Sequence, residues 1–113
     1  MAIYVDDLRC WGWRLRGRET PSCHLFTDSP DLEDLHRFAE QIGMRRAWFQ
    51  PHRVAPHYDL TPTRRQAALA IGAIEVDRRA ACAIWRGRRL LLWREAELHD
   101  FEFVGQRRIR WDR

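Results

Sequence analysis

The sequence predicts an α/β fold: a small, mainly parallel sheet with flanking helices and a C-terminal β-hairpin extension. Three observations lead there. Short β-rich runs alternate with helix-patterned segments in the order strand, helix, strand, helix, strand. Two of those helical segments open on a hydroxyl residue followed by proline and close on glycine, the start and stop signals of a helix. No repeat or low-complexity linker divides the 113 residues, so they read as one domain, with residues 1–80 as its core and 81–113 as an extension.

In order, Ala2-Ile3-Tyr4-Val5-Asp6 is a β-rich run with Asp6 and Asp7 at its C-terminal end. Leu8 to Ser22 follows as a long loop dense in Arg, Trp and Gly without a clear period, and loops of that length are commonly functional. His24-Leu25-Phe26-Thr27 is a second short strand. The first helix takes Ser29 as cap and Pro30 as first position, with Asp31, Glu33 and Asp34 complementing its dipole. Leu32, Leu35, Phe38, Ala39 and Ile42 form its apolar stripe, and Gly43 stops it. Arg46 to Gln50 reads as a strand. The second helix has Thr61 as cap, Pro62 at its first position and Gly72 at its end; Ala73 to Val76 is the next strand. Beyond it come a helix over Arg78 to Trp85 capped by Asp77 and a strand at Leu90 to Trp93. Phe101 to Val104 and Arg108 to Trp111 complete the pattern as a hairpin turning at Gly105-Gln106.

Composition narrows the function classes. A hydrophobic share of 45% and Trp 6 fit a folded domain rather than a disordered chain. No apolar run approaches the roughly 18 residues of a membrane helix, and the start lacks a signal-peptide layout, so a cytoplasmic protein without a membrane partner is expected. Cys10, Cys23 and Cys82 are odd in number and form no C-x-x-C pair, as expected of free thiols. The net charge is +4, and every basic residue other than histidine is arginine. Guanidinium forks suit carboxylate and phosphate, which makes an anionic partner plausible.

Three groups of residues carry candidate chemistry. The run His57-Tyr58-Asp59-Leu60-Thr61-Pro62-Thr63-Arg64-Arg65 gathers polar side chains around a helix start. Arg64 and Arg65 oppose the helix dipole there, so they are anion ligands beside free backbone N–H groups, or else solvated or partners of Asp59. Asp6, Asp7, His24, His57 and Asp59 are widely separated in sequence. If strand edges bring them together, Asp6, His24, His57 and Asp59 can ligate a divalent metal or serve as acid and base. Arg9 to Arg18 interleaves Trp11 and Trp13 with Arg14 and its neighbours, a composition that suits nucleic acid, with Arg107, Arg108, Arg110 and Trp111 as a second basic patch. His52 and His57 lack the cysteine pair that a zinc finger needs, and Cys23 and His24 face opposite ways on a strand. There is no G-x-S-x-G, P-loop or G-x-G-x-x-G.

These pieces resemble the bacterial and phage domain-of-unknown-function family DUF4031. The resemblance rests on Ile3-Tyr4-Val5-Asp6, on His24-Leu25-Phe26-Thr27-Asp28 and on the helix Leu32 to Ala39. His57-Tyr58-Asp59-Leu60 and Ala70-Ile71-Gly72-Ala73-Ile74-Glu75-Val76 complete it, over roughly residues 2–80. It implies a compact α/β domain with polar motif residues at Asp6, His24, His57, Tyr58 and Asp59, and implies no activity. The expected function is binding of an anionic ligand, a phosphorylated small molecule or nucleic acid. Tyr58, Arg64, Arg65, Arg14, Trp11 and Trp13 would be the binding residues. Two alternatives stand beside it: a metal-dependent phosphoesterase or nuclease using Asp6, His24, His57 and Asp59, and a protein-interaction module. Cofactor, metal identity and oligomeric state stay open.

Overall fold

The computed structural model describes residues 2–104, with side chains up to residue 97. Its elements are β1 (Ile3–Val5), β2 (Arg14–Leu15), β3 (Arg18–Glu19), β4 (Cys23–Thr27), α1 (Glu33–Gln41), β5 (Tyr58–Leu60), α2 (Pro62–Ala70), β6 (Ile74–Glu75) and α3 (Arg78–Val104), with a single 3-10 turn at Arg46–Trp48. The α/β class holds. The sheet is mixed rather than mainly parallel: in the order β5-β4-β1-β6, β4 runs antiparallel to both neighbours and only β1 and β6 pair in parallel.

The sheet is not mainly parallel because two connections are longer than simple crossovers. Between β1 and β4 the chain goes out and back as an antiparallel arm. The arm is closed at its base by mutual Arg9 and Ser22 backbone bonds of 2.9 Å and at its tip by β2 and β3. Arg16 and Gly17 make the tip turn, both at positive φ. Between β4 and β5, α1 is followed by the 3-10 turn and a bridge from Gln50 to His57, which return the chain antiparallel to β4. The strand expected at Arg46 to Gln50 is therefore a turn plus one bridge. Only α2 behaves as a crossover, carrying the chain past β4 and β1 to β6.

The helix starts follow local hydrogen bonding. Thr61 caps α2, its hydroxyl accepting from the Arg64 N–H at 3.2 Å. In front of α1, Ser29 Oγ accepts from Asp31 N–H and Asp31 Oδ1 from Glu33 N–H. These two stacked turns move the start from Pro30 to Glu33. Gly43, at φ 83°, ends α1 in the left-handed region that favours glycine. Asp77 caps α3 through the Ala80 N–H. That helix continues through Leu90 to Trp93 and through Phe101 to Val104, so neither stretch is a strand. A short apolar run has no period of its own, and the Arg, Glu, Ala and Leu around it favour helix. The remainder of the expected hairpin, Gly105 to Trp111, lies outside the described residues.

Strand alternation divides the sheet into two faces. One buries Val5, Cys23, Leu25, Tyr58 and Leu60 against Leu35, Ala39 and Ile42 of the α1 segment and Ala68 of α2. On this face the Tyr58 hydroxyl lies 2.7 Å from His36 Nδ1. Burial lowers the His36 pKa and raises that of Tyr58, so the phenol donates to a neutral imidazole. The other face carries Tyr4, Phe26, His24 and Asp59 and receives the first turns of α3. Trp85 packs against Phe26 with ring centroids 4.5 Å apart and tilted, Ala81 is buried, and Arg88 donates to the carbonyls of Ser29 and Pro30 at 2.7 and 3.2 Å. Past Arg88 the helix is uncovered, with Leu90 and Trp93 64% and 67% exposed.

Two predictions follow from these buried polar contacts. Truncating Arg88 to Ala should cost about 1–3 kcal/mol in chemical denaturation, because it removes charge-assisted bonds that dock α3. An unchanged midpoint would mean that α3 is held by its apolar contacts alone. His36 must stay neutral in the fold, whereas the unfolded chain takes up the proton near 6.5. Its contribution is therefore complete above the unfolded value and lost as pH falls through the lower folded value. His36→Gln should flatten the loss of stability measured between about pH 7 and about pH 5.

Candidate metal and anion site

The α3-facing side of the sheet holds the four separated residues in one cluster, Asp6 buried and the other three half-buried. Antiparallel register sets His24 directly opposite Asp59, and residues so paired point to the same face. Asp6 continues the alternation of β1 one step past Val5, and His57 lies two residues before Asp59, so both share that face. The His24 and His57 ring centroids are 4.5 Å apart, edge to face.

Each imidazole is fixed through its Nδ1. His24 Nδ1 donates to Asp6 Oδ2 at 2.7 Å, while Asp6 Oδ1 accepts from the His24 backbone N–H at 2.6 Å. His57 Nδ1 lies 2.6 Å from the Ala55 carbonyl, which can only accept. In the neutral rings both Nε2 atoms are then lone pairs. His57 Nε2 is 3.4 Å from Asp59 Oδ1. One ligand atom from each of His24, His57 and Asp59 falls within 4.8 Å of the other two. Two imidazole nitrogens and one carboxylate oxygen, with the rings oriented by hydrogen bonds behind them, form the donor set of many catalytic zinc and non-haem iron centres.

The electrostatics couple His57 to Asp59. Burial disfavours charge on His57, but the hydrogen bond to Asp59, the Ala55 carbonyl and the nearby Asp59 and Asp6 carboxylates outweigh it, raising its pKa. The same hydrogen bond holds the Asp59 pKa below its ordinary value against the effect of burial.

The other candidate residues separate by place. Tyr58 points into the core toward His36, on the face opposite Asp59; its period-two position already implies this. Arg65 is committed, donating to the Asp6 carbonyl at 3.0 Å and to Glu75 at 2.7 Å. Arg64 donates to Met44 Sδ at 3.0 Å and stacks on Trp48, its Cζ 5.4 Å from the ring centroid. Neither arginine pairs with Asp59. Arg14 donates to the Gly17 carbonyl at 2.5 Å and closes the arm's own tip. Asp7 borders a small cavity beside Trp85. Trp11 is tied down by its Nε1 donating to the Ser22 carbonyl, with its ring 5.7 Å from that of His24.

Two hollows open from the cluster. One of about 420 Å³ is lined by Trp11, Trp13, Ser22, His24 and Asp59. The other, of about 690 Å³, is lined by Trp13, Leu15, Met44, Trp48, Asp59 and Arg64, together with Gln50, Thr61 and Thr63. Gln50 lies at the end of the expected strand, where the sequence already sets it near the ligand edge, whereas nothing in the sequence singles out Trp48 within that run. Cys10 and Cys82 are exposed free thiols, whereas Cys23 is buried on the core face, where burial pushes its pKa up to about 12.

The coupling is open to measurement. In the chelator-treated protein, Asp59→Asn should lower the His57 titration midpoint followed by NMR, since burial then acts with less opposition. A midpoint that stays put would show that the Ala55 carbonyl, and not the carboxylate, sustains it.

No curated protein and no solved structure matches the chain. A family model described as protein of unknown function (DUF4031) matches residues 3–88, which take in all four cluster residues and end where α3 leaves the sheet. With well over half of its length inside that model, the chain belongs to the DUF4031 family.

Proposed function

We propose that the chain is a divalent-metal-dependent hydrolase acting on a phosphoester. The observation that carries this reading is the pinning of both imidazoles by Nδ1, which leaves two Nε2 lone pairs beside one carboxylate. Three protein donors leave open coordination positions for water and substrate, as in a catalytic rather than a structural centre. Asp6 acts as the positioning carboxylate behind His24 and makes its Nε2 a better donor.

Support for a phosphorylated substrate comes from Arg64. It lies in the hollow that shares Asp59 with the cluster, next to the hydroxyl residues Thr61 and Thr63. Trp48 and Met44 fix its guanidinium, so it meets an anion with little ordering cost. The anion-binding residue expected at the α2 start is thus Arg64 rather than Arg65, whose fork is taken by Glu75. Held by His24, His57 and Asp59, a divalent cation would polarise the phosphoryl oxygen and lower the pKa of water. In the reaction a water oxygen bonds to phosphorus and the phosphorus–oxygen bond to the alcohol breaks. One water proton leaves on the alcohol and the other stays with the phosphate side or passes to solvent.

The test is thermal and enzymatic together. Zinc, manganese or ferrous ion at about a hundred times its Kd should raise the Tm by on the order of 10 °C. His57→Ala and Asp59→Ala should abolish the shift. The same ions should switch on hydrolysis of bis(p-nitrophenyl) phosphate, and a chelator should remove it. No shift with any of the three ions would dispose of the metal centre; a shift without hydrolysis would dispose of the reaction.

A further inference from the structure

We propose that the substrate of this site is a nucleoside phosphate, free or at the end of a strand, with its base laid against Trp13. The proposal rests on the hydrolase reading above and specifies its substrate class.

The two hollows meet at Trp13 and Asp59, so the residue that borders the metal cluster also borders the larger groove. Trp13 is 37% exposed, on an arm whose residues from Leu8 to Glu19 are all exposed. An indole of that size left partly open beside a polar cluster is a stacking surface. Trp48 does not offer the same service. The guanidinium carbons of Arg45 and Arg64 lie 5.7 and 5.4 Å from its centroid, so its ring is engaged in holding those cations. Trp11 is engaged as well, through Ser22 and His24. Trp13 has no such cation or aromatic partner among the described residues.

The groove next to Trp13 combines apolar side chains that suit a base with polar and charged ones that suit a phosphate. Leu15, Met44 and Ala47 line it together with Trp13, while Arg64, Thr63 and Asp59 supply the polar groups. At about 690 Å³ it falls in the range of pockets for small ligands, roughly 300–1,000 Å³. A sugar phosphate would leave that apolar lining uncovered. A nucleoside phosphate satisfies both ends, its ring on the indole and its phosphoryl group shared between Arg64 and the cation at Asp59. Gln50, a donor and acceptor in the same lining, can read the edge of the base.

Equilibrium binding in chelator separates this inference from the metal chemistry. The full chain should bind adenosine monophosphate at least about tenfold more tightly than ribose phosphate, with tryptophan fluorescence quenched on binding. Trp13→Ala, a change on the exposed arm, should erase that preference while leaving ribose phosphate affinity and the cation-induced Tm shift in place. Arg64→Gln should weaken both phosphates. Equal affinity for the two phosphates, or a Trp13→Ala protein that still prefers the nucleotide, overturns the proposal. If the nucleotide preference is present but no cation shifts the Tm, the hydrolase reading falls and the nucleoside phosphate class stands. If cation and bis(p-nitrophenyl) phosphate responses are present without the preference, the substrate class falls alone. With metal restored, release of phosphate from the mononucleotide alone assigns the free form, and release from the terminus of a single-stranded oligonucleotide assigns the strand end.

Discussion

β4 is antiparallel to β1 on one side and to β5 on the other, and its register fixes where the remaining residues of the sheet can go. Val5 is set opposite Leu25, Cys23 opposite Leu60, and His24 opposite Asp59. A slip of one residue would send every one of these side chains to the other face. Core and candidate site are therefore decided by the same hydrogen-bond ladder. Asp6 reinforces it from the end of β1, bonding to His24 through both the ring and the backbone N–H, and Arg65 ties the Asp6 carbonyl to α2.

The division of labour between helices follows from this ladder. The α1 segment and α2 cover the apolar face, where a phenol–imidazole bond places α1 on the sheet. α3 covers only part of the opposite face, up to Trp85 and Arg88. Its Trp85 ring comes to 5.8 Å from that of His24, and the hollow that His24 and Asp59 line opens past it toward the Trp-bearing arm. A helix laid along the whole face would have closed the cluster off from ligand.

Local chemistry was legible in the sequence where it is self-contained. Thr61, Pro62 and Gly72 announce α2 because cap, first position and stop are decided within a single turn. The hydroxyl of Ser29 signalled a cap as well, but a second capping turn at Asp31 lay between it and the helix. What the sequence withheld is direction. Alternating strands and helices suggest parallel neighbours, yet the Arg9–Ser22 arm and the Gln50–His57 bridge reverse the chain through contacts that have no short-range signature. The cluster was half legible. The types and the strand ends pointed to Asp6, His24, His57 and Asp59. Period two also sets Tyr58 apart from them, on the core face, although it stands inside the same contiguous polar run. Arg64 and Arg65 look alike in sequence and differ only by what packs beside them, Trp48 for one and Glu75 for the other.

The single peptide unit between Tyr58 and Asp59 separates two kinds of selective pressure. On one side a substitution is answerable to packing, on the other to ligand chemistry, and the sheet stands between them. Changes at Trp13, Gln50 or Thr63 can accumulate without disturbing Leu25, Leu35 or Leu60, because distant sites with no shared partner behave independently. His24 and Asp6 lack that freedom, since they stitch the sheet and shape the cluster at once. Descendants of this chain would be expected to diversify along the groove and the arm while the stitched pair stays put, so that one scaffold can explore new ligands without refounding its core.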